Sequence, residues 1–172
     1  MPEEQPELEI LFSHAYEELR RLASLVHRGD PSATLNPTAL VHEAWLRLAR
    51  SPSLEISSEL HFKHIAARAM RRVLIEAARA RRTVKRGGGQ ALVTFDEALD
   101  ATPCASEDVL ALDAALEKLA RLEPRQAAMV ESRFFGGLDV RETAKLLDVS
   151  EATILRDWRA ARAWLAVELR NP

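Results

Sequence analysis

Residues 138–169 carry two helical patterns separated by only three residues, and this spacing constrains the fold more than any other feature of the chain. Asp139 followed three residues later by Glu142 is a capping-box pattern, which predicts a first helix ending near Leu147. Asp148-Val149-Ser150 then forms a short turn, and Ser150 is suited to cap a second helix. The apolar stripe of that second helix consists of Ile154, Trp158, Ala161 and Leu165.

The spacing within this stretch is typical of a helix-turn-helix unit, whose second helix enters the major groove of DNA. The small side chain of Ala144 allows the two helices to cross closely. Asp148 stands where such turns usually hold glycine, and aspartate tolerates the left-handed conformation at modest cost. Arg156 and Arg159 lie opposite the apolar stripe, where they could reach phosphates or guanine edges. The alternative is an ordinary helical hairpin that packs only on its own domain.

The composition favours an all-α protein. Aromatic residues make up 5% of the 172 residues, and three of the six glycines are consecutive, at 87–89. Few aromatics with abundant Ala, Leu and Arg favour helix over a β-sandwich. No apolar run approaches the ~20 residues that span a membrane, and the acidic N-terminus does not resemble a secretory signal. We therefore expect a cytoplasmic protein with no membrane partner.

The charges are segregated along the chain, although the net charge is only −2. Between His61 and Arg86, nine Lys or Arg face a single acid, Glu76, whereas the first 18 residues hold six glutamates and no Lys or Arg. Residues 92–123 hold eight acids and two bases. This segregation predicts one surface that binds a polyanion.

Helical periodicity and breaker residues divide the chain into two helical domains. Three helices are predicted in the first half, at about 8–28, 37–50 and 60–86, and four in the second half, at about 106–121, 124–135, 139–147 and from 151 onward. The predicted units are an N-terminal domain at 6–86, a flexible linker at 87–105 and a C-terminal domain at 106–170.

The third predicted helix carries a stripe of arginine. At about 100° per residue, five arginines fall within a stripe roughly 80° wide. These are Arg68, Arg72, Arg79, Arg82 and Arg86. Phe62, Ala66 and Val73 cluster on another face, which we expect to pack on the first two helices. The stripe predicts contact with a polyanion, and the alternatives are a solvated charged face and, with less apolar support, a membrane surface.

No catalytic or metal-binding constellation can be assembled from the sequence, so we expect neither an enzyme nor a cofactor. The glycine triplet lacks the Lys-Ser/Thr end of a phosphate loop. His61 and His64 could share a helix face, but two histidines without a nearby thiolate or carboxylate cluster make a poor metal site. Cys104 is the only cysteine, which excludes an internal disulfide.

Over nearly its whole length, the chain resembles the bacterial RNA polymerase sigma factors of the extracytoplasmic-function (ECF) group. Residues 122–165 are similar to the family's region four, from the Pro-Arg start through Phe-Gly-Gly to the helix-turn-helix. LNPTALVHEAWLRL resembles region 2.2, and HFKHIAARAMRRVLIEAARARR resembles regions 2.3 and 2.4. The resemblance implies a protein that binds core polymerase and directs promoter recognition, promoter melting and transcription initiation.

The resemblance also implies roles for the matched positions. The residues expected at the polymerase β′ clamp helices are His42, Glu43, Leu46 and Arg47. Those expected at the minus-ten element are Arg68, Arg71, Arg72, Arg79, Arg82 and Arg86. Those expected at the minus-thirty-five element are Ser150, Glu151, Ala152, Thr153, Leu155, Arg156 and Arg159. Further expected partners are the polymerase β flap and promoter DNA, and an anti-sigma factor or other regulator is a candidate.

Two residues of the second helix depart from the family pattern. Leu155 stands where members often place a lysine, and Asp157 adds an acid. Two other functions remain open from the residues alone. One is a stand-alone helix-turn-helix repressor or activator, which would dimerise on a palindrome without polymerase. The other is an RNA-binding helical protein that uses the arginine stripe.

Overall fold

In a computed structural model, the described residues are 9–14, 16–17, 20, 23–24, 36–51, 55–84 and 106–171, without the side chains of 81–84 and 106–108. Every regular element in these ranges is a helix, which confirms the predicted all-α class. Helical residues within 9–24 are termed α1. The others are α2 (Pro37–Ala49), α3 (Glu59–Val84), α4 (Ser106–Leu122), α5 (Pro124–Phe134), α6 (Val140–Leu147) and α7 (Glu151–Arg170). The predicted linker at 87–105 lies outside the described residues.

The helix boundaries follow the local signals in the sequence. Asn36 caps α2 by accepting a 2.8 Å hydrogen bond from the backbone N–H of Ala39, and Pro37 occupies the first turn, as predicted. Pro124 likewise begins α5. Helix α3 begins one residue earlier than predicted and is described as far as Val84. Lys85 and Arg86 lie outside the described residues.

One side of α3 packs on the N-terminal helices, as its apolar pattern predicts. Phe62, Ala66 and Val73 are buried there, with Leu40 and Val41 of α2 in the same core. The ring of Phe12 in α1 lies 4.4 Å from that of Trp45, between ring centroids. This packing fixes which sides of α2 and α3 are left for other contacts.

A second side of α3 packs on α4 and α5, which the apolar pattern did not predict. Ala67 lies on this side, and a Cβ at Gly136 would sit 3.1 Å from the Cβ of Ala67 and 2.5 Å from the carbonyl oxygen of Ser132. Only glycine therefore fits at position 136. Buried residues from both halves form one continuous core, so the two predicted domains are in contact, and their division at 87–105 stays a prediction.

Candidate nucleic-acid interface

The helix-turn-helix unit is built from side-chain caps at both helix starts. The Asp139 carboxylate accepts from the backbone N–H of Glu142 at 2.7 Å, and the Glu142 carboxylate accepts from the backbone N–H of Asp139 at 3.0 Å. Ser150 Oγ accepts from the backbone N–H of Thr153 at 3.1 Å. The predicted capping box and serine cap are therefore present, and they fix where α6 and α7 begin.

The turn between the two helices adopts the left-handed conformation expected of Asp148. Its backbone dihedrals are φ 52° and ψ 49°. The N–H of Val149 then donates to the carbonyl of Ala144 at 3.0 Å, which closes the end of α6. The turn thus redirects the chain into α7 without a glycine.

Helix α7 buries its predicted apolar stripe. Ile154, Ala161 and Leu165 are fully buried, and Trp158 is 5% exposed. The opposite face is open, and the side chain of Arg156 is 71% exposed. The exposed predicted site residues of this helix and its cap are Ser150, Glu151, Ala152, Leu155, Arg156 and Arg159, while Thr153 is half-buried. Because one stripe of α7 is buried, the opposite face, which carries these predicted site residues, points to solvent. This face is called the reading face.

Asp157, which departs from the family pattern, belongs to the inner side of α7. Its side chain is 6% exposed, and its Oδ2 accepts from Arg125 Nε at 2.8 Å and from Arg125 Nη2 at 2.7 Å. Arg125 lies in the first turn of α5. The acid therefore anchors α7 to α5, while its other oxygen, Oδ1, lies 3.7 Å from Nε of the exposed Arg156.

A buried arginine stacks beneath α7. The guanidinium carbon of Arg133 lies 4.4 Å from the ring centroid of Trp158, a cation–π contact. Burial lowers the pKa of Arg133, an effect that the charge of Asp139 opposes. Neither Arg133 Nε nor Trp158 Nε1 has a hydrogen-bond partner. Sequence reasoning missed this contact because nothing in the local pattern distinguishes Arg133 from a surface arginine.

The arginines of α3 are divided between solvent and the C-terminal helices. Arg68, Arg72 and Arg79 are exposed, as a polyanion-binding stripe requires. Arg71 lies about 60° from Arg68 around the helix, on the side of Ala67, and its side chain is only 16% exposed. In this arrangement Arg71 faces α4 and α5. The side chain of Arg82 and all of Arg86 lie outside the described residues.

Among the residues that the structure describes, Arg71 makes the most extensive polar contact between the two halves. Its Nε donates to Asp113 Oδ1 at 2.8 Å, its Nη2 to the same oxygen at 2.5 Å, and its Nη1 to Glu131 Oε1 at 3.0 Å. The two carboxylates are 10% and 12% exposed. The sequence held one signal for this contact: Asp113 follows Val109 by four residues, which places a carboxylate beside the apolar stripe of α4.

Lys63 and His64 also join α3 to the C-terminal half by polar contacts. Lys63 Nζ donates to Glu142 Oε1 at 3.2 Å. His64 Nδ1 and Ser132 Oγ share a hydrogen bond of 2.7 Å. Burial lowers the pKa of His64, and the charges of Arg68 and His61 act in the same direction, against that of Glu131. The neutral imidazole is therefore the form that this interface favours.

The residues predicted to bind polymerase lie together on α2. Leu46 is 44% exposed, although its side chain is large and apolar. Arg47 donates to Glu76 through both terminal nitrogens, at 2.8 and 2.6 Å, and to Glu43 at 3.3 Å. The hydrogen bonds from Arg47 hold the pKa of Glu76 below its usual value. The remaining residue, His42, is exposed, with its ring 6.1 Å from that of Tyr16.

Across the described ranges, no three His, Cys, Asp or Glu side chains are grouped so as to hold a metal ion. Among the helices described, none combines the length and the apolar character needed to cross a membrane.

The fold and the open face of α7 define a helical protein with a helix-turn-helix unit. A family model described as ECF sigma factor matches residues 4–171, so the chain belongs to the ECF sigma factor family. Sigma factors of this family direct promoter-specific transcription initiation and are regulators rather than enzymes. They bind core RNA polymerase and promoter DNA. Neither the curated proteins nor the solved structures gave a match.

Proposed function

We propose that this chain is an alternative sigma factor that binds core RNA polymerase, recognises two promoter elements and assists promoter melting. The observation that carries the proposal is the open face of α7, which is held outward by a buried stripe and by the caps of a helix-turn-helix. Membership of the ECF family supplies the polymerase as the partner.

Helix α7 is proposed to bind the minus-thirty-five element in the major groove. Arg156 and Arg159 carry the positive charge of the open face, and an arginine can donate two hydrogen bonds to a guanine edge. Ala152 allows close approach of the helix, and Leu155 offers an apolar contact to a thymine methyl group. Ser150, Glu151 and Thr153 stand at the N-terminal end of the helix, which typically contacts base edges.

Helix α3 is proposed to bind the minus-ten element and hold its melted strand. Arg68, Arg72 and Arg79 are exposed along the helix, and Arg71, Arg82 and Arg86 complete the proposed set. A row of cations binds the phosphate backbone of single-stranded DNA with little dependence on sequence. In this scheme the N-terminal half binds the minus-ten element and the C-terminal half binds the minus-thirty-five element.

The polymerase is proposed to bind the exposed face of α2. Leu46 is the apolar centre of this face, and His42, Glu43 and Arg47 surround it. The proposed partner is the β′ clamp-helix pair, while the C-terminal half contacts the β flap. In this scheme the chain catalyses no covalent reaction. It positions the polymerase, and two linked contacts bind more tightly than either contact alone.

The test is transcription reconstituted from purified core polymerase, the full chain and genomic DNA fragments, with start sites mapped. We expect the chain to co-elute with core polymerase on a sizing column and to produce discrete start sites. Arg156→Ala should weaken use of those promoters by the equivalent of about 1–3 kcal/mol if Arg156 contacts a base. Arg170→Ala is the matched control, because Arg170 is an exposed arginine at the far end of the same helix.

Two results would contradict the proposal. Failure to co-elute with core polymerase would favour a stand-alone helix-turn-helix regulator. Equal promoter use by the Arg156→Ala and Arg170→Ala variants would remove Arg156 from the reading face.

A further inference from the structure

We infer that Asp157 is a positioning residue for Arg156: its buried carboxylate, held by Arg125, orients the guanidinium that reads the minus-thirty-five element. The inference rests on the proposed function and adds what sets the base preference of α7. The acid that departs from the family pattern thus contributes to promoter reading without touching DNA.

The carboxylate of Asp157 is held in one place by α5. Its Oδ2 accepts from Nε and Nη2 of Arg125, at 2.8 and 2.7 Å. Two donors of one planar guanidinium define the position of the oxygen more closely than a single ammonium would. The Asp157 side chain is 6% exposed, so water competes little for these bonds.

The other oxygen of the same carboxylate faces the reading face. Asp157 Oδ1 lies 3.7 Å from Nε of Arg156. Consecutive residues of a helix point about 100° apart, so this approach requires the Arg156 guanidinium to bend around α7 toward Asp157. The contact is at Nε and the side chain is 71% exposed, which leaves the two terminal nitrogens for DNA.

This orientation suits the recognition of guanine. The major-groove edge of guanine presents two acceptors, O6 and N7, and an arginine can donate to both. Arginine is a long side chain, and restricting its rotamers before binding reduces the conformational entropy lost on binding. A carboxylate beside Nε therefore favours the guanidinium orientation in which both terminal nitrogens point at the base.

The alternative is that Asp157 only anchors α7 to α5. That role needs Arg125 and Oδ2 alone, and the pair with the exposed Arg156 adds little to folding stability. The two roles differ in their effect on DNA. Loss of an anchor weakens the use of all promoters alike, whereas loss of orientation weakens the preference at the base pair that Arg156 reads.

The test uses core polymerase reconstituted with the full chain, and one promoter found by start-site mapping whose minus-thirty-five element is then randomised. Sequencing the transcripts through a barcode gives the base preference at each position. Arg156→Ala identifies the base pair that Arg156 reads, as the position whose preference it removes. At that position we expect Asp157→Asn, which keeps the shape and removes the charge, to reduce the preference by about threefold to tenfold. Preferences at the other positions should change by less than about twofold.

A double variant tests whether Asp157 acts through Arg156. Asp157→Asn/Arg156→Ala should have the same base preferences as Arg156→Ala alone, because the residue that Asp157 orients is already absent. A further loss of preference in the double variant would contradict the inference.

Glu168→Gln is the matched control. Glu168 is an acid of the same helix that pairs with Lys118 of α4, away from the reading face. Its removal should leave all base preferences unchanged. The inference is wrong if Asp157→Asn keeps the wild-type preferences, as Glu168→Gln should, or if it lowers the output of all library members equally.

Arg125→Lys provides the test if circular dichroism shows that Asp157→Asn does not fold. Lysine keeps the positive charge but cannot donate through a planar fork, so the carboxylate is held less closely. The preference at the position read by Arg156 should fall, by less than in Asp157→Asn. An unchanged preference would overturn the inference.

The two proposals fail in different results. The proposed function fails if the wild-type chain with core polymerase produces no discrete start sites. If the wild type initiates normally and Asp157→Asn keeps its preferences, only the role of Asp157 is wrong. If Arg156→Ala removes no preference, Arg156 reads no base, and the inference falls while initiation by the wild type stands.

Discussion

Helices α3 and α7 both carry arginines along one side, yet the structure leaves those arginines in different environments. On α7, Arg156 and Arg159 are exposed, and the acid beside them, Asp157, is turned inward onto Arg125. On α3, Arg68 and Arg72 are exposed, whereas Arg71 is held by two carboxylates of the other half. The two helices therefore differ in what covers their arginines, although each carries arginines along one side.

The difference arises from the number of sides that each helix buries. Helix α7 buries one stripe, centred on Ile154 and Trp158, so its opposite face is open. Helix α3 buries two sides, one against α2 and one against α4 and α5, so only a narrow strip stays in solvent. Arg71 lies at the edge of that strip. A helical arginine pattern thus identifies a cationic face, but neighbouring helices decide how much of it is available.

The largest expected effect comes from comparing Arg71→Gln with Arg156→Gln in folding stability. Arg71→Gln leaves Asp113 and Glu131 largely buried without their cation, and breaking such a pair costs about 3–5 kcal/mol. Arg156→Gln changes an exposed side chain and should alter the free energy of unfolding by less than about 0.5 kcal/mol. Urea denaturation at pH 7 measures both. Equal losses in the two variants would show that the Arg71 contacts are not formed in solution.

A smaller gain in stability is expected from Asp148→Gly. Asp148 is the only non-glycine residue with positive φ in the described ranges, and a side chain there costs more than glycine does. The variant should raise the free energy of unfolding by about 0.5–1 kcal/mol without changing the open face of α7. Thermal denaturation measures the gain, and DNA binding by the variant should match the wild type. A loss of stability would mean that the Asp148 side chain makes a stabilising contact.

The smallest expected effect is a pH dependence of the contact at His64. Its pKa is lower in the folded chain than the ordinary 6.5, so the unfolded chain binds more protons as the pH falls below 6.5. The free energy of unfolding should therefore decrease as the pH falls through that window, down to the folded pKa. His64→Asn should reduce this dependence, and His14→Gln, at an exposed position, should not. Denaturation at pH 7.5 and 5.5 compares the three proteins, and an unchanged pH dependence in His64→Asn would exclude the effect.

Much of the helix-turn-helix could be predicted because its signals are local. Caps at Asp139 and Ser150, the left-handed turn at Asp148 and the stripe through Leu165 each depend on residues within one or two helical turns. The all-α class followed from composition and periodicity in the same way. The contacts of Asp157 and Arg133 could not be predicted, because each depends on a residue more than 20 positions away.

The amino-acid sequence by itself determined where the helices begin and end, which stripe of α7 is buried and which residues form its open face. Helix capping and apolar periodicity depend on residues a few positions apart, so they do not depend on which helices pack together. Only the tertiary structure decided that α3 has a second buried side and that Arg71 binds Asp113 and Glu131. Charge pairing between distant residues depends on which helices pack together. The spacing of residues within one helix does not predict those packing partners.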